Sequence, residues 1–395
     1  MMPLPTKTGT CPAANLEAIC AGDAWEMGFA QGRSLKAKIH KALTVLTELE
    51  AFRLQKPRLM PFAVFRRVAE LKAKKFLAGG LANVLPAAQV RLLGLAEGAD
   101  VRPNSLYLLN AMEAVLADLS QCSVSPIAAA CSALAVTGSA SSTRQPILAH
   151  NFDYLPAIQP LYTVRESRPA GTLRSLEFTA APLCGTIDGI NEAGLCISYN
   201  YAHTIDGQQP GPTISMWISE ALSRCRNVSQ AAELFANSRR WGGGLLMLGD
   251  ADGQIASLEL SSTRSALRLP QNSQERLFHT NRFQNGTMIS VEIDEKAVYT
   301  NRAPRVLRNR RVHQSADERD RRFRARLAGA TQLDPKQIVE LMSDHGPEDE
   351  PSADSICMHS DYWHTTACLQ LYPKERRMRV AYGAACRAGF VDFAL

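Results

Sequence analysis

The chain changes character at one place, and that change limits the folds open to it. The first 120 residues read as helices. At Ser123 the segment SVSPIAAACSALAVTG then passes from small residues into a strand-like run. Before the change, Ala24 to Leu49 carries Trp25, Phe29, Leu35, Ile39, Leu43 and Leu46 at helical spacing. Phe62 to Leu77, Pro86 to Ala96 and Ser105 to Leu116 follow in the same manner. After it, strands are expected at Ser132–Thr137, Ile147–Asn151, Tyr162–Glu166, Ser175–Thr179 and Leu195–Tyr199, punctuated by Gly, Pro, Asn and Ser. Helices at Thr213–Cys225 and Ser229–Ala236 precede strands around Gly244–Leu248, Ile255–Leu260 and Arg276–Thr280. A basic helix at Ala316–Ala328, a short helix at Asp334–Met342 and a hairpin of Thr365–Tyr372 with Met378–Tyr382 close the chain. The pattern predicts an α+β fold. It divides into a helical N-terminal segment, residues 1–130, and a second unit, residues 131–395.

Composition excludes several classes. With 395 residues, 46% hydrophobic and 21% charged, the chain can bury a sizeable core. Its net charge of +6 comes largely from ten arginines between Arg302 and Arg326, opposed there only by Asp317, Glu318 and Asp320. A nucleic-acid surface would need aromatic platforms nearby, which are absent, so a solvated helix face with one buried arginine is the better reading. The ten cysteines, from Cys11 to Cys386, include no Cys-x-x-Cys spacing, which argues against a zinc ribbon or a compact disulfide scaffold and fits a reducing cytoplasm. No basic start followed by an apolar stretch and no run of 18 apolar residues is present, so neither export nor membrane insertion is expected.

Among the cysteines, Cys131 stands apart by its setting. It opens a strand behind the small-residue run Ile127 to Ala130, where a backbone can be strained and cut. The next strand ends in His150-Asn151-Phe152-Asp153-Tyr154. If the two pair as antiparallel neighbours joined near Ser141 to Gln145, the start of one meets the end of the other, and Asp153 lies beside Cys131. A thiol becomes a useful nucleophile only as thiolate, so a neighbouring base or carboxylate matters. Asp153 is otherwise a turn residue closing its strand.

The segment ACSALAVTGSASSTRQPILAHNFDY resembles the nucleophile hairpin of the isopenicillin N acyltransferase-like family of N-terminal nucleophile hydrolases, and more distantly the choloylglycine hydrolase and penicillin V acylase group. GFAQGRSLKAKI, GLAEGADVRPNSLYLLNAME, GINEAGLCISYN, FHTNRF, SDH and SICMH match that family in order and extend the resemblance over most of the chain. The resemblance implies a four-layer αββα sandwich with the helical first third wrapped on it. It also implies self-cleavage of the Ala130-Cys131 bond by an N-to-S acyl shift. The α-amine freed on Cys131 would then be general base for its own thiol, with no catalytic histidine and no cofactor. By the same resemblance Asp153 contacts the new N-terminus. Asn281 points into the oxyanion hole, and Asn200 is a second oxyanion or substrate-side group. Arg319 or Arg322 matches an arginine near the thiol, with Arg319 the candidate for contacting substrate. Tyr154 and Tyr201 are candidate substrate-binding residues at a pocket mouth; packing is the expected fate of Leu155 and Ile158.

Departures from the pattern also inform. His150 stands three residues before the aspartate, where the bile-acid and penicillin V branch carries arginine, which favours the acyltransferase branch. Ala130 replaces a common glycine before the nucleophile. Asp344-His345 and the Cys357–His359 pair of SICMH read as family framework; two ligands make no zinc site, which wants four, so no metal is expected. His279 either donates near the oxyanion hole or packs.

The expected activity is hydrolysis of the C–N bond of linear amides, or transfer of the same acyl group to an amine, through a Cys131 thioester. The expected partners are a small acyl amide or acyl donor and the cleaved N-terminal segment, without nucleic acid or membrane and with a homo-oligomer left open. The alternative is a non-catalytic acyl-metabolite binding protein that keeps the fold uncleaved.

Overall fold

Two antiparallel-rich sheets stacked face to face form the body of the chain, seen in a computed structural model that describes residues 16–120, 130–206, 210–271, 275–387 and 389–395. The larger sheet orders its strands Ala18–Gly22, Tyr162–Pro169, Ser175–Ala180, Asp188–Asn191, Cys196–Ala202, Gly243–Gly249, Ile255–Leu260 and Ser265–Arg268. The smaller runs Arg276–His279, Ser132–Val136, Ile147–Tyr154, His364–Tyr372, Arg377–Ala381 and Val391–Ala394. Their central strands meet as Ser132–Val136 and Ile147–Tyr154 against Cys196–Ala202 and Gly243–Gly249. These strands are buried on both faces, which is why they read as nearly unbroken apolar runs such as SALAV and GGLLMLG rather than alternating ones.

Helices cover both outer faces, so the architecture is α+β, as the sequence pattern predicts, in the four layers that the resemblance implies. Ile214–Arg224 and Val228–Ala236 pack on the larger sheet. On the smaller sheet, Phe323 of helix Gln314–Leu327 and Ile338, Leu341 and Met342 of helix Pro335–Met342 pack with Leu134, Ile147 and Ala149.

The N-terminal portion is helical, with one addition. Ala18–Gly22 forms a strand that pairs in parallel with Tyr162–Pro169, so the segment before residue 130 is hydrogen-bonded into the larger sheet. The predicted helix Ala24–Leu49 is broken at Leu35 into Ala24–Ser34 and Lys36–Glu48. Helix Ala24–Ser34 lies directly on Pro86–Ala99, backbone against backbone. A Cβ on Gly28 would sit 2.0 Å from the Arg91 carbonyl oxygen, and one on Gly94 would sit 2.2 Å from that of Trp25. The glycines of GFAQG and GLAEG are therefore a helix-crossing device, and any larger residue there forces the helices apart.

Candidate active site

Cys131 lies at the head of strand Ser132–Val136 and is wholly buried. That strand pairs with Ile147–Tyr154 in the register Ser132 with Asn151, and two residues further the Ala130 amide donates to the Asp153 carbonyl at 3.1 Å. The antiparallel hairpin thus brings Asp153 beside Cys131 through local pairing alone. Burial pushes the Cys131 thiol well above its ordinary range; the neighbouring Asp153 charge adds to this and the Arg319 guanidinium opposes it. In the intact chain the thiol is therefore neutral at neutral pH, and it needs a proton acceptor before it can attack.

Asp153 is equally buried. Its Oδ1 accepts from the Thr365 hydroxyl at 2.5 Å, and its Oδ2 has no hydrogen-bond partner. Burial pushes the carboxyl up to about 8, against the lowering effect of Arg319 and of the Thr365 bond. The folded value lies above the ordinary 3.8, so the stability linked to this proton is complete below pH 3.8 and is lost as pH rises through about 8. In a Cys131→Ala background, which removes the neighbouring thiol, the melting temperature should fall across that window. Asp153→Asn should flatten this part of the fall, read as the difference between the two melting curves at each pH. Parallel curves would show that Asp153 does not hold the proton.

Arg319 joins the remaining pieces. It is fully buried on helix Gln314–Leu327, where it is the one buried arginine expected of the basic stretch. Its Nη1 donates to the Cys131 carbonyl and, at 2.9 Å, to the Ser132 hydroxyl; its Nη2 donates to Asn281 Oδ1 at 2.8 Å. A planar fork of donors spans three acceptors that a lysine could not reach together. Arg322 points elsewhere and pairs with Asp344. Most other arginines of the stretch are likewise answered by acids, including Arg311 by Asp317, Arg324 by Asp320 and Arg326 by Asp344.

Asn281 follows strand Arg276–His279, and its Nδ2 donates to the Tyr201 carbonyl at 2.8 Å, so Arg319 and Tyr201 together fix the plane of its amide. Asn200, on strand Cys196–Ala202 of the facing sheet, donates from Nδ2 to the Thr280 carbonyl at 2.9 Å and leaves its buried Oδ1 without a partner. His279 is tied by Nδ1 to Ser257 across the two sheets at 2.8 Å, and burial drives its pKa down. His150 is tied in the same way to Asp188 at 2.6 Å. Both are bridges between the sheets.

Beside this constellation lies a cavity of about 140 Å³. Tyr154 and Tyr201 line it, as do Tyr162 and Tyr199, and burial pushes the Tyr154, Tyr162 and Tyr199 hydroxyls well above their ordinary range. Leu46, Leu109, Phe152, Ile158 and Ile187 make the wall largely apolar. Ile158, expected simply to pack, faces this space, whereas Leu155 is buried. Glu113 also lines it, and its carboxylate makes no hydrogen bond or ion pair among the described residues; burial pushes it up to about 7. Glu113 ends the stretch NAME, so the residue was in view in the sequence but its role was not, because nothing in helical spacing tells which turn faces a cavity built by distant strands.

A second cluster corrects the reading of Cys357 and His359 as a pair without further ligands. Folding brings His345 and Cys386 to them, and one donor atom from each of the four lies within 4.8 Å of every other. The four residues come from two loops separated by the closing hairpin, so their meeting is invisible to local spacing. The expected small-residue run 127–129 lies outside the described residues, as do Cys11 and Cys122. No helix among the described residues is long and apolar enough to cross a membrane.

Residues 140–385 match the family model described as acyl-coenzyme A:6-aminopenicillanic acid acyl-transferase. No curated protein matches the chain. Among solved structures it is similar to a Caenorhabditis elegans ortholog of N-acylethanolamine-hydrolyzing acid amidase, at 14% identity and TM-score 0.40 over 62% of this chain and 93% of that one. It is also similar to penicillin V acylase from Agrobacterium tumefaciens, at 12% identity and TM-score 0.38 over 67% and 86% of the two chains. A mutant conjugated bile acid hydrolase from Clostridium perfringens is similar at 9% identity and TM-score 0.36 over 67% and 97%.

Proposed function

The chain belongs to the acyl-coenzyme A:6-aminopenicillanic acid acyl-transferase family, and on that premise we propose that it cuts its own Ala130–Cys131 bond and then uses Cys131 to move an acyl group from an amide to water or to an amine. In the first step the thiol adds to the Ala130 carbonyl and the Cys131 nitrogen leaves, giving a thioester. Water hydrolyses that thioester, leaving a carboxylate on Ala130 and a free amine on Cys131. The amine, with an ordinary pKa of about 7.7 to 8, then accepts the thiol proton. The thiolate attacks the substrate carbonyl, and the ammonium returns its proton to the departing nitrogen. The resulting thioester goes to water or to an acceptor amine.

The observation that carries this reading is the continuous set of contacts from Asp153 through the Ala130–Cys131 bond and Arg319 to Asn281. The unpartnered Oδ2 of Asp153 is costly as it stands. An ammonium formed at Cys131 would supply the missing donor, and a carboxylate there would orient it. Asn281 would hold the oxyanion. Asn200, whose unpartnered atom is an acceptor oxygen, suits a substrate N–H better than an oxyanion. The apolar cavity suits an apolar acyl group, with Glu113 as its one carboxyl among the described residues. Because Ala18–Gly22 is a strand of the larger sheet, the segment before the cut would stay bound after cleavage.

The test is to expose the purified chain to a panel of acyl amides, quench in acid and map the acylated peptide by mass. An acyl group on the peptide that begins at Cys131 is expected. A chain that remains whole and gathers no acyl group would turn the reading to a binding protein.

A further inference from the structure

We propose that His345, Cys357, His359 and Cys386 form a closed tetrahedral site for a zinc ion that fastens two loops under the catalytic strands. Nothing in the acyl-transfer reading requires it, and it stands on different residues. The Sγ atoms of Cys357 and Cys386 are 3.5 Å apart, and His359 Nε2 lies 3.4 Å from each. In a tetrahedral zinc site with Zn–S of about 2.3 Å and Zn–N of about 2.0 to 2.1 Å, neighbouring ligand atoms are separated by roughly 3.3 to 3.8 Å. Three of the four donors thus already stand on the edges of such a tetrahedron. The fourth, His345 Nε2, is buried and has no hydrogen-bond partner.

The outer contacts fit the same assignment. His345 Nδ1 lies 3.0 Å from Asp349 Oδ1, and His359 Nδ1 lies 3.1 Å from His364 Nε2, so each imidazole is held by its far nitrogen with the near one turned inward. Zinc-bound histidines are commonly held by a carboxylate on the far nitrogen, as Asp349 holds His345. A Cys357–Cys386 disulfide would account for the two sulfurs and leave the convergence of two imidazoles on them unexplained. Two thiolates and two imidazoles favour zinc over the hard cations, and four protein ligands leave no open position for catalysis. On binding, the two thiols give up two protons to solvent and the two thiolates neutralise the ion.

The site is tied to the reaction centre by a short path. Met358, between two of the ligands, donates its amide to the Thr365 hydroxyl at 2.8 Å and accepts from the Thr365 amide at 2.9 Å. Thr365 in turn holds Asp153. Asn151 donates to the Met342 and Ile356 carbonyls and anchors the same loop from the sheet side. The ion would act as a clamp on the residue that positions Asp153.

The experiment is metal analysis of the full-length chain, purified without a polyhistidine tag and dialysed against buffer freed of metals. One tightly held zinc per chain is expected, and none in His345→Ala or Cys386→Ser. Cobalt(II) offered to the wild-type chain after chelation should give the intense d–d and thiolate charge-transfer absorption of a tetrahedral site, a readout that does not depend on any variant folding. Folded wild-type protein that retains no zinc and shows no such cobalt spectrum would overturn the proposal. So would a Cys357–Cys386 disulfide found in protein kept under non-oxidising conditions.

Discussion

Cys131→Ala should leave one uncut chain and no measurable turnover, where the wild type yields a fragment ending at Ala130 and another beginning at Cys131. The expected fall in turnover is on the order of 10⁶-fold, the scale seen when an enzyme loses its nucleophile. Loss of folding is a poor rival explanation. The substitution removes a single buried sulfur from a strand whose next inward residues are already Ala133 and Ala135, and a change of that size costs about 1 kcal/mol. Cys131→Ser sharpens the result. A hydroxyl is far harder to ionise than a thiol, so the amine that can activate a thiol serves it poorly, and slow cleavage with much weaker turnover is expected. One residue governing both events is the decisive feature. An alanine variant that still cuts itself, or still turns over acyl amides, would place the nucleophile elsewhere.

How much of this was legible before folding depends on how far apart in sequence the cooperating residues lie. The juxtaposition of Ala130, Cys131 and Asp153 could be read directly, because a hairpin converts a short sequence interval into an antiparallel register. The α+β class was legible, since strands buried on both faces announce themselves by apolar runs, whereas the stacking of two sheets was implied only by the family resemblance. The strands Ala18–Gly22, Asp188–Asn191, Ser265–Arg268 and Val391–Ala394 were not read from the sequence. Arg319 could be named only as one of two candidates, because neither periodicity nor charge tells which arginine of a basic helix turns inward. Its complete burial settles which one touches Cys131. His345 and Cys386 escaped for a stronger reason. Each is a routine residue in its own segment, and only the return of the closing hairpin brings the two loops together. Glu113 is the same problem in a cavity, where distant strands decide what a helical residue faces.

Asn281→Ala should fold, retain substrate affinity and lose about 10²- to 10³-fold in kcat, the cost of removing one oxyanion donor, or about 3 to 4 kcal/mol. The loss should fall on kcat rather than KM, because the bond it removes is made to charge that exists only in the transition state. The structure also says what fixes the amide. Its oxygen accepts from Arg319 and its nitrogen donates to the Tyr201 carbonyl, so the group is oriented by two partners that do not move with substrate. Arg319→Lys offers a comparison that separates donation from orientation. A lysine keeps the positive charge but cannot bond Cys131, Ser132 and Asn281 at once. If Asn281 acts through a fixed amide, Arg319→Lys should reproduce much of the kcat loss, and the double variant should lose little more than Asn281→Ala alone, because the two changes break one arrangement. Strictly additive losses would mean that Arg319 acts on Cys131 directly and not through the asparagine. Full activity in Asn281→Ala would move the oxyanion hole to other donors and leave Asn281 as a strand-end residue held for packing.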